Sequence, residues 1–357
     1  MNVGLIDASD SRDYDGNTIK VAPLGGVQNQ VVTLATELAK YHDVVVYNNV
    51  STPSVVNGVA YRNTSVLDLF PDIDVAISVS YEGTALDPRL ASVPRKIFWK
   101  HHDYPFVGDE ELDAFFDTID VFVCISNSSM NNYSKHYQSD KYTVIYNSMD
   151  VGMTVNLPRE ERLPHLIYAS CPNRGLNTFT NILPGLHETA PGLELHAYGT
   201  FKMYGPNWQK SDDEFRGGEK YLALSGMPNF IQEASVPLGK LLRIMGSSFC
   251  LAYPSVFVES FGLTILYAMA CGLPVVATNV GSIGEIYGDN EYLINVPPDD
   301  LGQVEADWYA ETFISHLLDL YYSPQKWLEQ SRRGIERARM FSVHKIAKEW
   351  LEIIGGL

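Results

Sequence analysis

The residues best suited to chemistry lie between Tyr253 and Glu285, where a single glutamate precedes a helix that starts at a glycine. Glu259 can accept hydrogen bonds from sugar hydroxyls, and Gly262 follows it in the same loop. Unpaired N–H groups and the helix dipole favour a phosphate at a helix N-terminus, and a glycine lets the backbone approach a ligand closely. Spacing alone leaves open an ordinary loop that carries a surface glutamate.

A strand, a loop, a helix and a second strand position these residues. Apolar positions at helical spacing predict a helix from about residue 262 to 271, which Gly272 and Pro274 end. The β-branched run at 274–278 is typical of a buried parallel strand. This βαβ unit places the Glu259 loop at the carboxyl end of the sheet, where open α/β sheets bind ligands.

The run ESFGLTILYAMACGLPVVAT at 259–278 resembles the donor-site signature of the retaining group-one (family-four) glycosyltransferases. That signature is Glu, then Phe-Gly, a second Glu, and then Ala-Met-Ala-x-Gly-x-Pro-Val-Val. The resemblance implies that Glu259 holds the transferred sugar and that the backbone of 261–263 holds the diphosphate. Tyr267 stands at the position of the second glutamate, which binds the nucleotide ribose in the family. A phenol can hydrogen-bond a hydroxyl, but it carries no charge.

Two other loops contain glycine before a predicted helix. Gly25-Gly26 lacks the G-x-G-x-x-G pattern of a dinucleotide site, and its surroundings resemble the family's first glycine loop, which faces the donor phosphates across the interdomain cleft. Arg174-Gly175 follows the predicted strand at 166–169. The forked donors of a guanidinium suit a pyrophosphate, although a solvated surface arginine is the alternative. The resemblance to the family's Arg/Lys-Gly loop assigns Arg174 to the diphosphate.

Adjacent histidines follow the predicted strand at 96–99. Neighbours on an extended chain point to opposite sides, and no Cys/His cluster with metal-ligand spacing accompanies His101 and His102. A histidine satisfied at a strand end is the alternative to a functional one. The sequence His-Asp-x-Pro at 102–105 matches a family motif, which implies that His102 contacts the reacting sugar or the acceptor, with His101 as the second candidate.

The resemblance runs along the whole chain and implies an α/β protein of GT-B fold, with two Rossmann-like domains facing each other across a cleft. Residues 1–150 are predicted to form the acceptor-side domain, 151–164 a linker and 165–342 the donor-binding domain. The helix at 343–357 is predicted to return to the first domain. Residues 200–228 are predicted to be an irregular insertion.

Bulk properties narrow the class of protein. The 357 residues, 45% hydrophobic and 19% charged, indicate two globular domains with sizeable cores. The net charge of −17 disfavours a nucleic-acid partner. The chain shows no leader and no apolar run near about 18 residues, so we expect no membrane span and a cytoplasmic location. The dispersed cysteines are expected to be buried reduced thiols; they are Cys124, Cys171, Cys250 and Cys271.

The expected activity is transfer of a sugar from a nucleotide diphosphate sugar to an acceptor with retention at the anomeric carbon. No cofactor or metal is implied beyond the donor, for which a UDP- or GDP-sugar is expected. The sequence does not distinguish glycan, lipid, protein and small-molecule acceptors, nor the oligomeric state. The resemblance implies His102 and Glu259 as catalytic residues, and Gly25, Gly26, Arg174, Glu259, Ser260, Phe261, Gly262, Leu263, Thr264 and Tyr267 as donor-binding residues.

Two other functions remain open. Tyr267 in place of a glutamate would suit a catalytically weak protein that binds nucleotide sugars. Another GT-B enzyme, such as a sugar-nucleotide epimerase, would share the same fold. An NAD-linked dehydrogenase is disfavoured because the glycine fingerprint is missing.

Overall fold

The computed structural model describes residues 1–8, 12–69, 72–204, 206–297 and 301–355. The strands among them are β1 (Asn2–Ile6), β2 (Asp43–Asn48), β3 (Ser54–Val56), β4 (Val59–Asn63), β5 (Val75–Val79), β6 (Arg95–Lys100), β7 (Val121–Cys124), β8 (Tyr142–Val144), β9 (His165–Tyr168), β10 (Glu194–Ala197), β11 (Phe230–Gln232), β12 (Cys250–Tyr253), β13 (Val275–Asn279) and β14 (Leu293–Asn295).

The helices of the described chain alternate with these strands. They are α1 (Thr18–Val21), α2 (Gly26–Leu38), α3 (Glu82–Ala85), α4 (Asp109–Thr118), α5 (Asn127–Tyr133), α6 (Phe179–Thr189), α7 (Gln209–Gly217), α8 (Glu219–Ser225), α9 (Leu238–Ser247), α10 (Leu263–Ala270), α11 (Ile283–Tyr287), α12 (Asp307–Tyr322), α13 (Pro324–Ala338) and α14 (Val343–Ile354). None of these helices is both long enough and apolar enough to cross a membrane.

The chain divides into two compact units, one of Met1–Asp150 with Phe341–Leu357 and one of Val151–Met340. The first unit has one sheet in the order β3-β4-β2-β1-β5-β6-β7-β8. Its strands pair in parallel except β3 with β4. Parallel strands buried on both faces need continuous apolar runs, and β5 is buried at every position.

The terminal helix α14 packs against α2 in the first unit. Trp350 of α14 meets Trp99 of β6 with ring centroids 5.0 Å apart, and both indoles are buried. His344 Nδ1 lies 2.7 Å from a carboxylate oxygen of Glu37 on α2. The last helix of the chain is thereby part of the first unit's core. Residues 356 and 357 of the predicted helix lie outside the described residues.

The second unit has one fully parallel sheet in the order β11-β10-β9-β12-β13-β14. Two of its strands follow the predicted apolar runs, since β9 and β13 each lie within one residue of the runs at 166–169 and 274–278. The helix α10 supplies the expected buried stripe, and α12 buries Tyr309, Phe313, Leu317 and Leu320. All four cysteines of the chain are buried and free of disulfides.

Two features of the fold were not predicted from the sequence. Residues 200–228 were expected to be irregular, but they contain α7 and α8. A hairpin joins β3 to β4 through Asn57-Gly58, both at positive φ, which is the preferred composition of a tight two-residue turn.

Residues 151–164, predicted to be a linker, are counted with the second unit. Arg162 accounts for their attachment, because its guanidinium donates to the carbonyl oxygens of Leu157, Met245, Ser248 and Cys271 at 2.9–3.2 Å. Arg162 is buried. The four carbonyl oxygens take the place of the water molecules that its guanidinium loses on burial.

Candidate functional site

Arg174 and Glu259 form an ion pair at the carboxyl end of the second unit's sheet. Arg174 follows β9, and Glu259 lies between β12 and α10; β9 and β12 are neighbours in the sheet. Arg174 Nη1 donates to Glu259 Oε1 at 3.0 Å and to Oε2 at 2.8 Å. The Glu259 side chain is 5% exposed and the Arg174 side chain 29%, so the carboxylate is buried while the guanidinium reaches solvent.

A tyrosine supplies a second donor to the same carboxylate. Tyr253, the last residue of β12, donates its hydroxyl hydrogen to Glu259 Oε1, and the Tyr253 oxygen lies 3.1 Å from Ser170 Oγ. Burial raises the pKa of Tyr253, and the negative charge of Glu259 raises it further. The phenol therefore stays protonated and fixes the orientation of the Glu259 carboxylate.

The Arg174 loop lies directly against the loop after β12. Gly175 has φ +121°, and a Cβ atom there would lie 2.0 Å from the carbonyl oxygen of Pro254. Only glycine tolerates both this conformation and this approach. On the exposed side the Arg174 guanidinium lies over the Phe257 ring, 4.3 Å from its centroid, which is cation–π geometry. Sequence reasoning missed Phe257 and Tyr253, since neither stands in the family pattern that it used.

The backbone of Glu259 is fixed as well as its side chain. The N–H and the hydroxyl of Ser282 both donate to the Glu259 carbonyl oxygen, at 2.8 and 3.0 Å. Gly281 has φ +61°, and a Cβ atom there would lie 2.2 Å from the same oxygen. The loop after β13 is therefore packed tightly against the glutamate, which leaves Glu259 little freedom to move.

The helix α10 begins at Leu263, four residues after Glu259. Gly262 caps it at φ +84°, in the left-handed conformation, so a glycine is needed here for its backbone angles as well as for access. Thr264 Oγ1 donates to the carbonyl oxygen of Ala169 at 2.7 Å, which ties the first turn of α10 to the end of β9. Phe261 is buried, and Ser260 is half-buried.

Tyr267 lies on α10 one turn after Leu263 and is 6% exposed. Residues four apart share a helix face, so Tyr267 and Leu263 lie on the same side of α10. The structure thus places residues 259–264 and Tyr267 on the loop after β12 and on α10, and Arg174 on the loop after the neighbouring strand β9.

The other predicted residues belong to the first unit. Gly25 is the N-cap of α2 and Gly26 its first residue. The next turn of α2 is fixed by Gln30, which donates to the carbonyl oxygen of Ser148 and accepts from the Ser148 N–H, both at 2.8 Å. The predicted glycine loop is therefore a helix start held to the end of the first unit's sheet.

The two histidines after β6 differ in environment. His101 is buried, with its ring 4.5 Å from the Trp99 ring, and burial lowers its pKa to about 3. His102 is half-buried and makes an edge contact with Phe106 at 5.0 Å between ring centroids. His101 is therefore a neutral packed side chain, which leaves His102 as the more accessible of the two.

A buried ion pair beside the histidines was missed by sequence reasoning. Lys100 Nζ donates to Glu82 Oε1 at 2.6 Å, and both side chains are fully buried. Tyr133 donates its hydroxyl hydrogen to the same oxygen at 2.7 Å, and the Phe106 N–H donates to Glu82 Oε2 at 3.2 Å. Burial lowers the pKa of Lys100 to about 8, against the opposing effect of Glu82. The sequence signal for this pair was Lys100, a lysine at the end of an apolar predicted strand.

This buried network fixes the loop that carries His102. Phe106 is bonded to Glu82 through its amide, and Lys100 lies 4.1 Å from the centroid of its ring. His102 lies between these two anchored residues. The network thus positions the loop at 101–106 relative to β6.

Comparisons with known proteins bear on the second unit most directly. Residues 165–307 match the family model of the group 1 glycosyl transferases. The GtfA subunit of the UDP-N-acetylglucosamine–peptide N-acetylglucosaminyltransferase of Streptococcus gordonii is 24% identical over 271 residues, which cover 74% of this chain and 49% of that protein. The first four curated relatives are matched over 14% to 63% of their own length.

Solved structures resemble the chain over its whole length. Sucrose-phosphate synthase from Thermosynechococcus elongatus aligns with a TM-score of 0.73 at 15% identity, covering 99% of this chain and 98% of that one. Anabaena HepE in complex with UDP and glucose aligns with a TM-score of 0.72 at 14% identity, covering both chains fully. The predicted α/β class and GT-B fold are confirmed by these structures and by the two α/β units, each built on a largely parallel sheet.

Proposed function

We propose that this chain is a glycosyltransferase that moves a sugar from a nucleotide diphosphate sugar to an acceptor, with retention at the anomeric carbon. The observation that carries the proposal is the Arg174–Glu259 pair at the start of α10. Both residues lie within the segment that matches the group 1 glycosyl transferases. At the ends of the neighbouring strands β9 and β12, the cation and the helix N-terminus suit a diphosphate, and the acidic side chain suits the hydroxyls of a sugar.

The positive groups would stabilise the leaving diphosphate. Negative charge develops on the diphosphate as the glycosidic bond to the sugar breaks. The Arg174 guanidinium and the N–H groups at the start of α10 are oriented donors that can stabilise this charge without rearranging. The Phe257 ring and the Glu259 carboxylate hold the guanidinium from two sides, which limits the orientations that it samples.

Glu259 would position the sugar instead of attacking it. Its carboxylate oxygens accept hydrogen bonds from Arg174 and Tyr253, so its orientation is fixed. These three bonds use fewer than the about four acceptor sites of a carboxylate, so it can accept a further donor. A carboxylate held in this way is suited to accept hydrogen bonds from sugar hydroxyls. We propose, from the family resemblance, that departure and attack occur on the same face of the sugar without a protein nucleophile and without a metal.

A UDP-sugar is the first donor to test. HepE was crystallised with UDP-glucose, and the streptococcal relative is named for UDP-N-acetylglucosamine. Calorimetry of the purified chain against UDP, GDP and ADP should show the tightest binding for UDP, the nucleotide that both of these proteins are named with. Release of UDP from UDP-glucose or UDP-N-acetylglucosamine in the presence of candidate acceptors would then be followed.

The outcomes separate the proposed activity from its alternatives. Acceptor-dependent release of nucleotide, with the anomeric configuration of the product equal to that of the donor by NMR, supports a retaining transferase. Binding of UDP without turnover by any acceptor or by water would favour a nucleotide-sugar-binding protein. Conversion of the donor to an isomeric nucleotide sugar would identify an epimerase. Absence of nucleotide binding would contradict the donor site itself.

A further inference from the structure

Two histidines and a glutamate meet on one face of the second unit's sheet, away from the Glu259 loop. Glu194 and His196 are two residues apart on β10, so their side chains share a face. His165 of β9 is the register partner of Glu194, which places it beside them. His165 and Glu194 are the first residues of their strands, whereas Arg174 and Glu259 follow carboxyl ends.

The distances among these side chains are those of potential metal ligands. One ligand atom from each of the three residues lies within 4.8 Å of the others. Glu194 Oε2 is 3.6 Å from His196 Nε2 and 3.9 Å from His165 Nε2. Ligands of a tetrahedral zinc ion bonded at about 2.1 Å lie about 3.4 Å from one another. The distance from the Glu194 oxygen to each imidazole nitrogen therefore exceeds the distance between two zinc ligands by only a few tenths of an ångström.

His196 is already oriented as a metal ligand. Its side chain is 9% exposed, and its Nε2 atom is buried without a hydrogen-bond partner among the described residues. Its other nitrogen, Nδ1, lies 2.9 Å from Glu233 Oε1. A carboxylate that accepts from one imidazole nitrogen leaves the lone pair on the other, which is the arrangement that supports metal-binding histidines. A buried imidazole nitrogen with no partner is costly unless something binds it.

The two histidine rings lie directly against each other. Their rings stack with centroids 3.8 Å apart and planes at 27°. Stacked rings must turn slightly for both Nε2 lone pairs to converge on one ion. The His165 side chain is 22% exposed and the Glu194 side chain 42%, so both have room to adjust around the more rigid His196.

We propose that His165, Glu194 and His196 bind a divalent first-row transition metal ion, Zn²⁺ in the first instance, with Glu233 orienting His196. Two imidazoles with one carboxylate suit Zn²⁺ and its neighbours, whereas Mg²⁺ prefers oxygen ligands. The ion joins β9 to β10 directly and, through Glu233, the end of β11. It stabilises the second unit, and it takes no part in the proposed sugar transfer.

The test is calorimetric titration of the full chain, first stripped with a chelator, with Zn²⁺ and in parallel with Mg²⁺. The expected result is one Zn²⁺ per chain, a higher melting temperature with Zn²⁺ and no comparable effect of Mg²⁺. His165→Ala and Glu194→Gln change partly exposed side chains, so these variants should fold and lose the site. His187→Ala is the matched control, because His187 is an exposed histidine of the same unit and its removal should leave binding unchanged.

Two results would overturn the proposal. One is a wild-type chain that binds no Zn²⁺; the other is a site that persists equally in His165→Ala, Glu194→Gln and the control. Glu233→Gln should weaken Zn²⁺ binding by about 10- to 100-fold, whereas unchanged affinity with a lower melting temperature would refute its orienting role. Zn²⁺ binding is measured without donor or acceptor, so its outcome is independent of the transferase proposal.

Discussion

A single nitrogen of Arg174, Nη1, donates to both carboxylate oxygens of Glu259, at 3.0 and 2.8 Å, although the two residues are 85 positions apart in the sequence. The sequence predicts that both hold the same ligand, and the structure places them in direct contact. A guanidinium offers several N–H donors in one plane, so pairing with Glu259 is compatible with a second anionic partner. The contact therefore makes Arg174 and Glu259 one structural unit, which we propose binds the donor as a pair.

The first prediction concerns the forked geometry of Arg174. Arg174→Lys keeps the charge but loses the fork, and Arg174→Met loses both. Since hydrogen bonds to charged groups contribute about 1.5–3 kcal/mol, kcat/KM for the donor should fall by about 10- to 100-fold in the lysine variant and further in the methionine variant. Steady-state kinetics of nucleotide release measures this order.

Arg243→Lys is the control for that series, because Arg243 is an exposed arginine of the same unit and should tolerate the change. Thermal melting of each variant checks that activity is not lost through unfolding. Equal donor turnover in Arg174→Met and the wild type would remove Arg174 from the site.

The second prediction concerns the hydroxyl of Tyr267, which stands where the family pattern has a ribose-binding glutamate. Tyr267→Phe removes only that hydroxyl. We expect affinity for UDP to fall about two- to tenfold, as for the loss of one neutral hydrogen bond. Titration with 2′-deoxy- and 3′-deoxy-UDP identifies the ribose hydroxyl that Tyr267 contacts. The ligand that lacks this hydroxyl should bind the variant as tightly as UDP does. Identical affinities of variant and wild type for all three ligands would contradict contact with the ribose.

The third prediction concerns pH and His101, whose pKa is about 3 in the folded chain because it is buried. An unfolded histidine titrates near about 6.5. When the pH falls below about 6.5, His101 therefore takes up a proton in the unfolded chain but not in the folded chain. Stability should decrease with a slope of about 1.4 kcal/mol per pH unit from this one group. The loss begins near pH 6.5 and continues until the pH reaches about 3.

His101→Gln should flatten the dependence of the melting temperature on pH between about 4.5 and 6.5. His136 is an exposed histidine of the same unit, so His136→Gln should leave the profile of the wild type unchanged. Other histidines with lowered pKa values, such as His42 and His316, contribute equally to wild type and variant and cancel in the comparison. Parallel profiles for His101→Gln and the wild type would show that His101 is not held neutral by the fold.

The sequence predicted those elements whose signal is local. The strand β13 follows a continuous β-branched run, and α10 follows helical spacing ended by Gly272. The hairpin at Asn57-Gly58 also had a local signal, but its strands are only three and five residues long and offer little periodicity. The helices α7 and α8 were missed because their mixed-charge residues lack a clear apolar stripe.

Contacts between distant residues could not be predicted from spacing. The cluster of His165, Glu194 and His196 exists only through the pairing of β9 with β10, and its first two members are separated by a helix. The family pattern pointed to Glu259 and Arg174 separately, yet it gave no reason to expect Tyr253 as a second donor. Register and side-chain orientation decide such contacts, and both arise from the packed sheet.

The final prediction concerns the buried pair of Lys100 and Glu82. Glu82→Gln leaves the Lys100 ammonium buried without its counter-charge, which typically costs about 3–5 kcal/mol, and the melting temperature should fall accordingly. The double variant Glu82→Gln with Lys100→Met removes both charges and should be less destabilised than the sum of the single variants. Glu214→Gln breaks an exposed pair with Lys210 and should cost under about 1 kcal/mol.

The same variants test whether the pair positions His102. Glu82 accepts a hydrogen bond from the Phe106 amide, so its replacement should loosen the loop at 101–106 and expose its amides to faster hydrogen exchange. If His102 contacts the reacting sugar or the acceptor, Glu82→Gln should lower kcat more than it weakens donor binding, because the donor groups of the second unit are unchanged. Normal hydrogen exchange in the loop, together with a normal kcat, would limit the pair to a role in stability.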